Sequence, residues 1–402
     1  MTTLWNLPLA DIDKAMVPLR PDATGQDLRE SFADAAWSFL VEPGDRVAGA
    51  LIRELGSSEA LARVVARPAA STLANDELSA AEIAEALARW EPRLETPALF
   101  RSLTSASSLG IHLVRETDPQ WPGGLADLGD NGPRVLWVRG QSDAIPQTSS
   151  SVAIVGARAS TGYGEHVAMD FAAGFVSRDY AVVSGGAYGI DGMAHRATLA
   201  CGGTTIAVMA GGLDNLYPSG HEELLKRIMT TGAVVSEVPP GGAPTRWRFL
   251  QRNRLIAAIA GGTVVVEAGY RSGSLNTATH ARDLDRPLGV VPGPITSGQS
   301  AGCHRLLRTN PAAYLVTSVA EMVDLMTGNQ NADEFTSRDS ADTVRVLDAL
   351  SNSPRKLSVV AARSGLSIAS ARGVLDDLLA TGRAYCADDG WAKRDADDAT
   401  SR

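Results

Sequence analysis

The sequence predicts a doubly wound α/β protein with a mostly parallel sheet, flanked by a helical module and a small C-terminal domain. Three observations carry that prediction. Eight short β-rich runs follow one another from about residue 110: GIHLV, RVLWVRG, SVAIVGA, YAVVSGG, TTIAVMAGG, AVVSEV, TVVVEA and PLGVVPG. Helical stretches separate most of them, and their near-continuous Val, Ile and Ala content fits strands buried on both faces. Several runs end directly in Gly, which puts part of the chain's 39 glycines where the backbone turns tightly and comes close to a ligand.

Residues 1–109 read as helices, through DLRESFADAAWSFLV, VAGALIRELG, SSEALARVVA and SAAEIAEALARWEPRL, with Pro, Gly and Ser between them. The stretch EPGDRVAGALIRELGSSEAL has the rhythm of a SAM-like or helix-hairpin-helix module, a rhythm that any short helical bundle shares. The α/β domain spans 110–327. Residues 328–341 are polar, without apolar period, and read as a linker. In 342–394, three short helices precede two strands around Asp388-Asp389-Gly390, the order of a winged helix. The tail 395–402 is expected to be disordered.

Composition narrows the function. With 44% hydrophobic and 21% charged residues among 402, the chain is ordinary for a soluble protein. It has no leader pattern and no run near the roughly 18 apolar residues of a membrane span, so a cytoplasmic protein with no membrane contact is expected. Cys201, Cys303 and Cys386 are far apart and read as reduced thiols, with neither a disulfide framework nor a zinc site. The net charge of −9 is unpromising for phosphate binding, but it is unevenly spread. Between Ser151 and Met326 there are 14 Lys+Arg against 13 Asp+Glu, which is +1, so the remainder of the chain carries −10.

Four segments could meet a ligand. Ser184-Gly185-Gly186 ends one strand and leads into a helix, an arrangement that aims backbone N–H groups and a helix dipole at an anion, or else makes a tight packing turn. The loop after SVAIVGA carries Arg158 and lacks the dinucleotide fingerprint, which disfavours NAD. Between Arg246 and Arg254 lie four Arg, one Trp and one Phe, the mixture expected of a single-strand groove, where guanidinium groups bind phosphate and an aromatic face stacks on an unpaired base. This run reads as preceding the apolar helix LIAAIAGG, with Arg252 or Arg254 partly structural. Last, Arg271-Ser272-Gly273-Ser274 repeats the first loop's logic after TVVVEA. The histidines at 195, 221, 280 and 304 are scattered, Asp191 and Glu237 lack acid-base partners, and Glu267 fits either a ribose contact or a loop tie. No catalytic residues, metal site or cofactor are expected, and so no enzyme.

Six segments in order, VAIVGAR, VVSGGAYGIDGMAH, TIAVMAGGLDNLYP, VVSEVPPG, FLQRNRLIAAIAGGTVVVEAGYRSGSLNTA and GVVPG, resemble the DprA/Smf family over roughly residues 110–325. The resemblance implies an extended Rossmann-like fold and a homodimer that binds single-stranded DNA, protects it, and helps load the RecA recombinase during natural transformation. By the same resemblance the DNA pocket uses Arg158, Ser184-Gly185-Gly186, Arg246, Phe249 and Ser272-Gly273-Ser274. The chain departs from the family pattern at His304 and Pro311-Ala312. Two alternatives remain: a phosphoribohydrolase-like nucleotide enzyme or sensor, whose loop would need residues other than AGYRSGSLNTA, and a winged-helix regulator of duplex DNA, whose reading helix would carry Arg372 beside Asp376 and Asp377.

Overall fold

The computed structural model describes residues 3, 4, 7–145, 147–328, 340–387 and 390–393, and the chain divides into two compact units, Met1–Gly328 and Asn329–Arg402. The first opens with a two-stranded ribbon, Thr3–Leu4 (β1) and Leu7–Pro8 (β2). Six helices follow: Leu9–Met16 (α1), Gln26–Leu40 (α2), Arg46–Leu55 (α3), Ser57–Val65 (α4), Ala80–Trp90 (α5) and Thr96–Ser108 (α6). Their starts are written locally. The Asp45 carboxylate accepts the first N–H groups of α3, and Ser79 with Glu82 forms a capping box on α5.

Nine strands then build one sheet: Ile111–Arg115 (β3), Val135–Gly140 (β4), Ser151–Val155 (β5), Ala181–Ser184 (β6), Thr205–Met209 (β7), Ala233–Ser236 (β8), Thr263–Val265 (β9), Leu288–Val290 (β10) and Ala313–Leu315 (β11). Their order is β11-β10-β9-β5-β6-β7-β8-β4-β3. β4 alone runs against the common strand direction, antiparallel to both β3 and β8, so the sheet is mostly parallel, as predicted. Alternation along the strands feeds two cores. Val152, Ile154, Val182 and Val264 face the helices Gly162–Val176 (α7) and Ile190–Ala200 (α8), while Glu222–Thr231 (α9) packs farther along the sheet. Ala153, Val155, Val183 and Val265 face the helices Arg246–Ile259 (α10), Ser274–Asp283 (α11) and Ala301–Thr309 (α12) on the opposite side. Val319–Thr327 (α13) returns to the first side through Met322.

The N-terminal helices do not stand apart from this sheet. Phe32 and Trp37 of α2 share a core with Ile111 of β3 and Trp137 of β4. Arg115 holds both Asp27 and Asp34 at 2.6 Å, and the Trp137 indole donates to the Ser38 hydroxyl at 3.1 Å. Among the described residues no helix is long and apolar enough to cross a membrane.

The second unit has three helices, Ala341–Ala349 (α14), Leu357–Ser364 (α15) and Ile368–Ala380 (α16), then the antiparallel strands Ala384–Ala387 (β12) and Gly390–Lys393 (β13). Val346, Val360, Leu375 and Trp391 form its core. The turn residues Asp388 and Asp389, linker residues 329–339 and the tail lie outside the described residues.

Candidate functional site

Strand order fixes where a ligand belongs. β5 has β6 on one side and β9 on the other, so the loops leaving β5 and β9 diverge and open a crevice at the carboxyl ends of the strands. A cavity of about 750 Å³ lies there. The loop after β5, the first turns of α10 and the loop after β9 line it.

The basic run does not precede the helix, as the sequence suggested; it is the start of α10 itself. Thr245 caps that helix, its hydroxyl accepting the Arg248 N–H at 3.2 Å. Helical spacing then gives the four arginines different surroundings. Arg246 shares the cavity face with Phe249, Leu250 and Asn253 and is exposed. Arg248 grips Glu42 through two bonds, at 2.8 and 2.9 Å. Arg254, 3% exposed, pairs with Glu237 at 2.7 Å. Arg252 is also buried, donating to the carbonyls of Gly185 and Val208 beneath the cavity. Burial pulls its pKa down to about 10, with Asp191 pulling the other way. Arg252 and Arg254 are thus both held by bonds in the interior, and only the first reaches the cavity lining.

Arg158 and Arg271 complete the exposed charge on the rim. The Arg158 guanidinium sits over the Phe249 ring, 5.0 Å from its centroid. Among the described residues, none of Arg158, Arg246 and Arg271 has a carboxylate partner. The cavity lining therefore holds four arginines against one carboxylate, Asp191.

The two glycine loops differ. Ser272-Gly273-Ser274 borders the cavity, with its two hydroxyls 2.7 Å apart and Asn253 bonding the Gly273 carbonyl at 3.3 Å. Ser184-Gly185-Gly186, expected as a phosphate cradle, lies outside the cavity lining. The Ser184 hydroxyl donates to the Ile154 carbonyl at 2.6 Å, and the Gly185 N–H is taken by the Asp191 carboxylate at 3.0 Å. A side chain at Gly185 would meet the Arg252 guanidinium at 2.5 Å, so close packing is what this glycine serves. Burial raises the Asp191 pKa, opposed by Arg252 and the bonds it accepts.

Glu267 is 1% exposed and both its oxygens are engaged, by the Thr161 N–H at 2.9 Å and the Thr161 hydroxyl at 2.6 Å. It ties the loop after β5 to the loop after β9 and is not free for a ribose. His195 and His280 lie in helices, and the buried His221 donates from Nδ1 to the Gly186 carbonyl at 3.0 Å. His304, the departure noted in sequence, bonds the Gly293 carbonyl at 3.0 Å. Sequence reading missed Tyr217 and Tyr270. Tyr217 meets Phe249 edge-on with centroids 5.7 Å apart, and Tyr270 is 58% exposed beneath the Arg305 guanidinium at 4.6 Å. Among the described residues no cluster of three or more His, Cys, Asp or Glu could hold a metal ion.

The chain is similar to known proteins. A family model described as DNA recombination-mediator protein A matches residues 112–327. A Mycobacterium tuberculosis protein bearing the name DNA processing protein DprA is 42% identical over 383 residues, 89% of this chain and 93% of that protein. The DNA processing protein DprA of Bacillus subtilis is 31% identical over 61% of this chain and 80% of its own length. The X-ray structure of DprA from Streptococcus pneumoniae superposes with a TM-score of 0.58 at 30% identity, covering 72% of this chain and 95% of that one.

Proposed function

The chain belongs to the DNA recombination-mediator protein A family, and on that premise we propose that its cavity binds single-stranded DNA. The carrying observation is the rim: Arg158 stacked on Phe249, with Arg246 and Arg271 exposed beside it and Tyr217 and Tyr270 at hand. Unpaired guanidinium groups are free to take phosphates, and the aromatic faces offer unpaired bases a stacking surface that a closed duplex cannot use. Affinity then comes from charge and stacking, so sequence preference is slight and salt dependence steep.

The protein acts as a binder and not as a catalyst. Asp191 and Glu267, the carboxylates at and beneath the cavity, are already bonded to Gly185 and Thr161, which leaves neither as a general base. The task assigned to it is the family's: protecting incoming single strands and helping to load the recombinase RecA during natural transformation, in the cytoplasm and as a homodimer. Strand β11, with Tyr314 and Leu315 exposed on an open sheet edge, is the surface best suited to the second copy. The N-terminal helices take the part of the SAM-like module. The second unit takes that of a winged helix, and it suits a protein partner better than duplex DNA, because Arg372 of α16 is engaged by Asp376 at 3.2 Å and lies over Trp391.

Fluorescence anisotropy of a labelled oligonucleotide, single-stranded against duplex and at two salt concentrations, tests the reading. Selective single-strand binding that weakens with salt and with Arg158→Ala or Arg246→Ala is expected. Equal affinity for duplex, or indifference to both substitutions, would sink it.

A further inference from the structure

On the adjoining face of α10 lies a second groove, of about 600 Å³, between the start of that helix and the N-terminal helices. Trp247 forms one wall and is 55% exposed, whereas the other described tryptophans are buried. An indole left in water at the second position of a helix adds little to folding, so its exposure asks for a ligand. Arg46, Arg89 and Arg93 face it across the groove. Arg46 pairs with Glu82 at 2.6 Å and Arg89 with Asp45 at 3.2 Å, while Arg93 shares Glu42 with Arg248.

These pairs leave room for an anion. The Asp45 carboxylate is already committed to the Val47 and Ala48 N–H groups and to the Trp90 indole, and Glu42 has two guanidinium partners. Arg46 and Glu82 are both about half exposed, and exposed ion pairs are weak, so a phosphate exchanges for that carboxylate at small cost, while the half-exposed Arg89 keeps N–H groups on its solvent side beside the largely buried Asp45 side chain. The groove also continues the first cavity. Leu250 lines that cavity and stands three residues from Trp247, which makes the two side chains neighbours on the helix surface, about 5–6 Å apart at Cβ.

We infer that this groove is a second nucleotide subsite, in which Trp247 stacks on an unpaired base of a strand leaving the first cavity while Arg46 and Arg89 take its phosphates. The inference rests on the single-strand reading of the first cavity. It extends the footprint onto the N-terminal helices and gives those helices a share in binding. A protein partner for Trp247 is the competing occupant, and continuity with the cavity favours the strand.

The test uses the full chain and labelled oligothymidylates from about 4 to about 16 nucleotides, the span of known single-strand site sizes. Trp247→Ala should match the wild type on the shortest oligonucleotide and bind the longest roughly 10-fold more weakly, with Trp247→Phe restoring most of the loss. Arg89→Ala should flatten the salt dependence for long strands only. Indole fluorescence should be quenched by long strands and not by short ones. If Trp247→Ala binds every length as the wild type does, the subsite is overturned and Trp247 belongs to a protein partner. A loss equal at all lengths also overturns it, because Trp247 would then act through the first cavity. Arg158→Ala, weak at every length, reports on the underlying reading separately, and a wild type that binds no length fails both.

Discussion

The loops Ser184-Gly185-Gly186 after β6 and Ser272-Gly273-Ser274 after β9 leave the same edge of the sheet with nearly the same composition, and their bonds run in opposite directions. In the first, the hydroxyl and an N–H are spent on Ile154 and Asp191 and the turn is roofed by Arg252. In the second, the serine hydroxyls bond each other, the Ser272 hydroxyl also takes the Ser274 N–H at 3.4 Å, and both residues line the cavity. Strand order accounts for the contrast: β9 borders the point where the order reverses, whereas β6 lies between β5 and β7 and its loop is covered by α10. The same division runs along α10, with Arg246 open to solvent and Arg252 closed in the interior. A glycine loop in this fold opens on the crevice when its strand borders it, and packs into the interior when it does not.

The contrast breaks most visibly at two arginines. Arg252→Ala should lower stability by about 3–5 kcal/mol, since Asp191 stays buried without its countercharge, and urea unfolding reads this directly. Arg158→Ala should leave stability within about 0.5 kcal/mol. An unchanged unfolding midpoint for Arg252→Ala would erase the distinction between floor and rim. Binding should invert the order: Arg158→Ala and Arg246→Ala each weaken single-strand affinity roughly 10-fold in anisotropy titrations, through loss of a charge-assisted contact.

The closed side also carries a pH signature. His195 is fully buried, with Nδ1 2.7 Å from the Thr205 hydroxyl, which itself donates to the Val182 carbonyl at 2.8 Å. The network therefore assigns the proton to Nδ1. Burial pushes the pKa of this imidazole from 6.5 down to about 3. The unfolded chain takes up a proton near the upper value and the folded protein does not until the lower one, so stability falls as pH drops through that window. The slope is about 1.4 kcal/mol per pH unit. His195→Gln should flatten it in denaturation curves recorded at successive pH values, and a wild type whose stability is level across the window would refute the assignment. The smallest effects separate the serines: Ser184→Ala should cost about 1 kcal/mol of stability and leave affinity alone, and Ser272→Ala should weaken affinity roughly 3-fold at unchanged stability.

Much of the fold was legible because strands buried on both faces write themselves as unbroken Val, Ile and Ala runs, as in Ser151–Val155 and Thr205–Met209. Strand β11 was missed because Ala313–Leu315 is three residues, two of them exposed, and so has no such run. The site was legible in its residue types and less so in their roles. Arg248 finds Glu42 across 206 positions of sequence, and Arg252 finds the Val208 carbonyl across 44, so nothing near either arginine distinguishes it from Arg246. Local composition likewise cannot tell Ser184 from Ser272. Tyr217 and Tyr270 sit singly in loops, where no periodicity marks an aromatic as exposed.

The tie that Glu267 makes to Thr161 reaches further than the two loops it joins. At Gly164, one turn into α7, an added Cβ would lie 2.1 Å from that carboxylate, so the clasp has no slack on either side. A rim fixed in this way is already arranged before binding, so for a single strand bound as proposed the entropy of ordering falls on the strand instead of the protein. Strands that are themselves loosely stacked have the least base stacking to break on entering, so pyrimidine tracts should bind somewhat more tightly than purine tracts although no base edge is read.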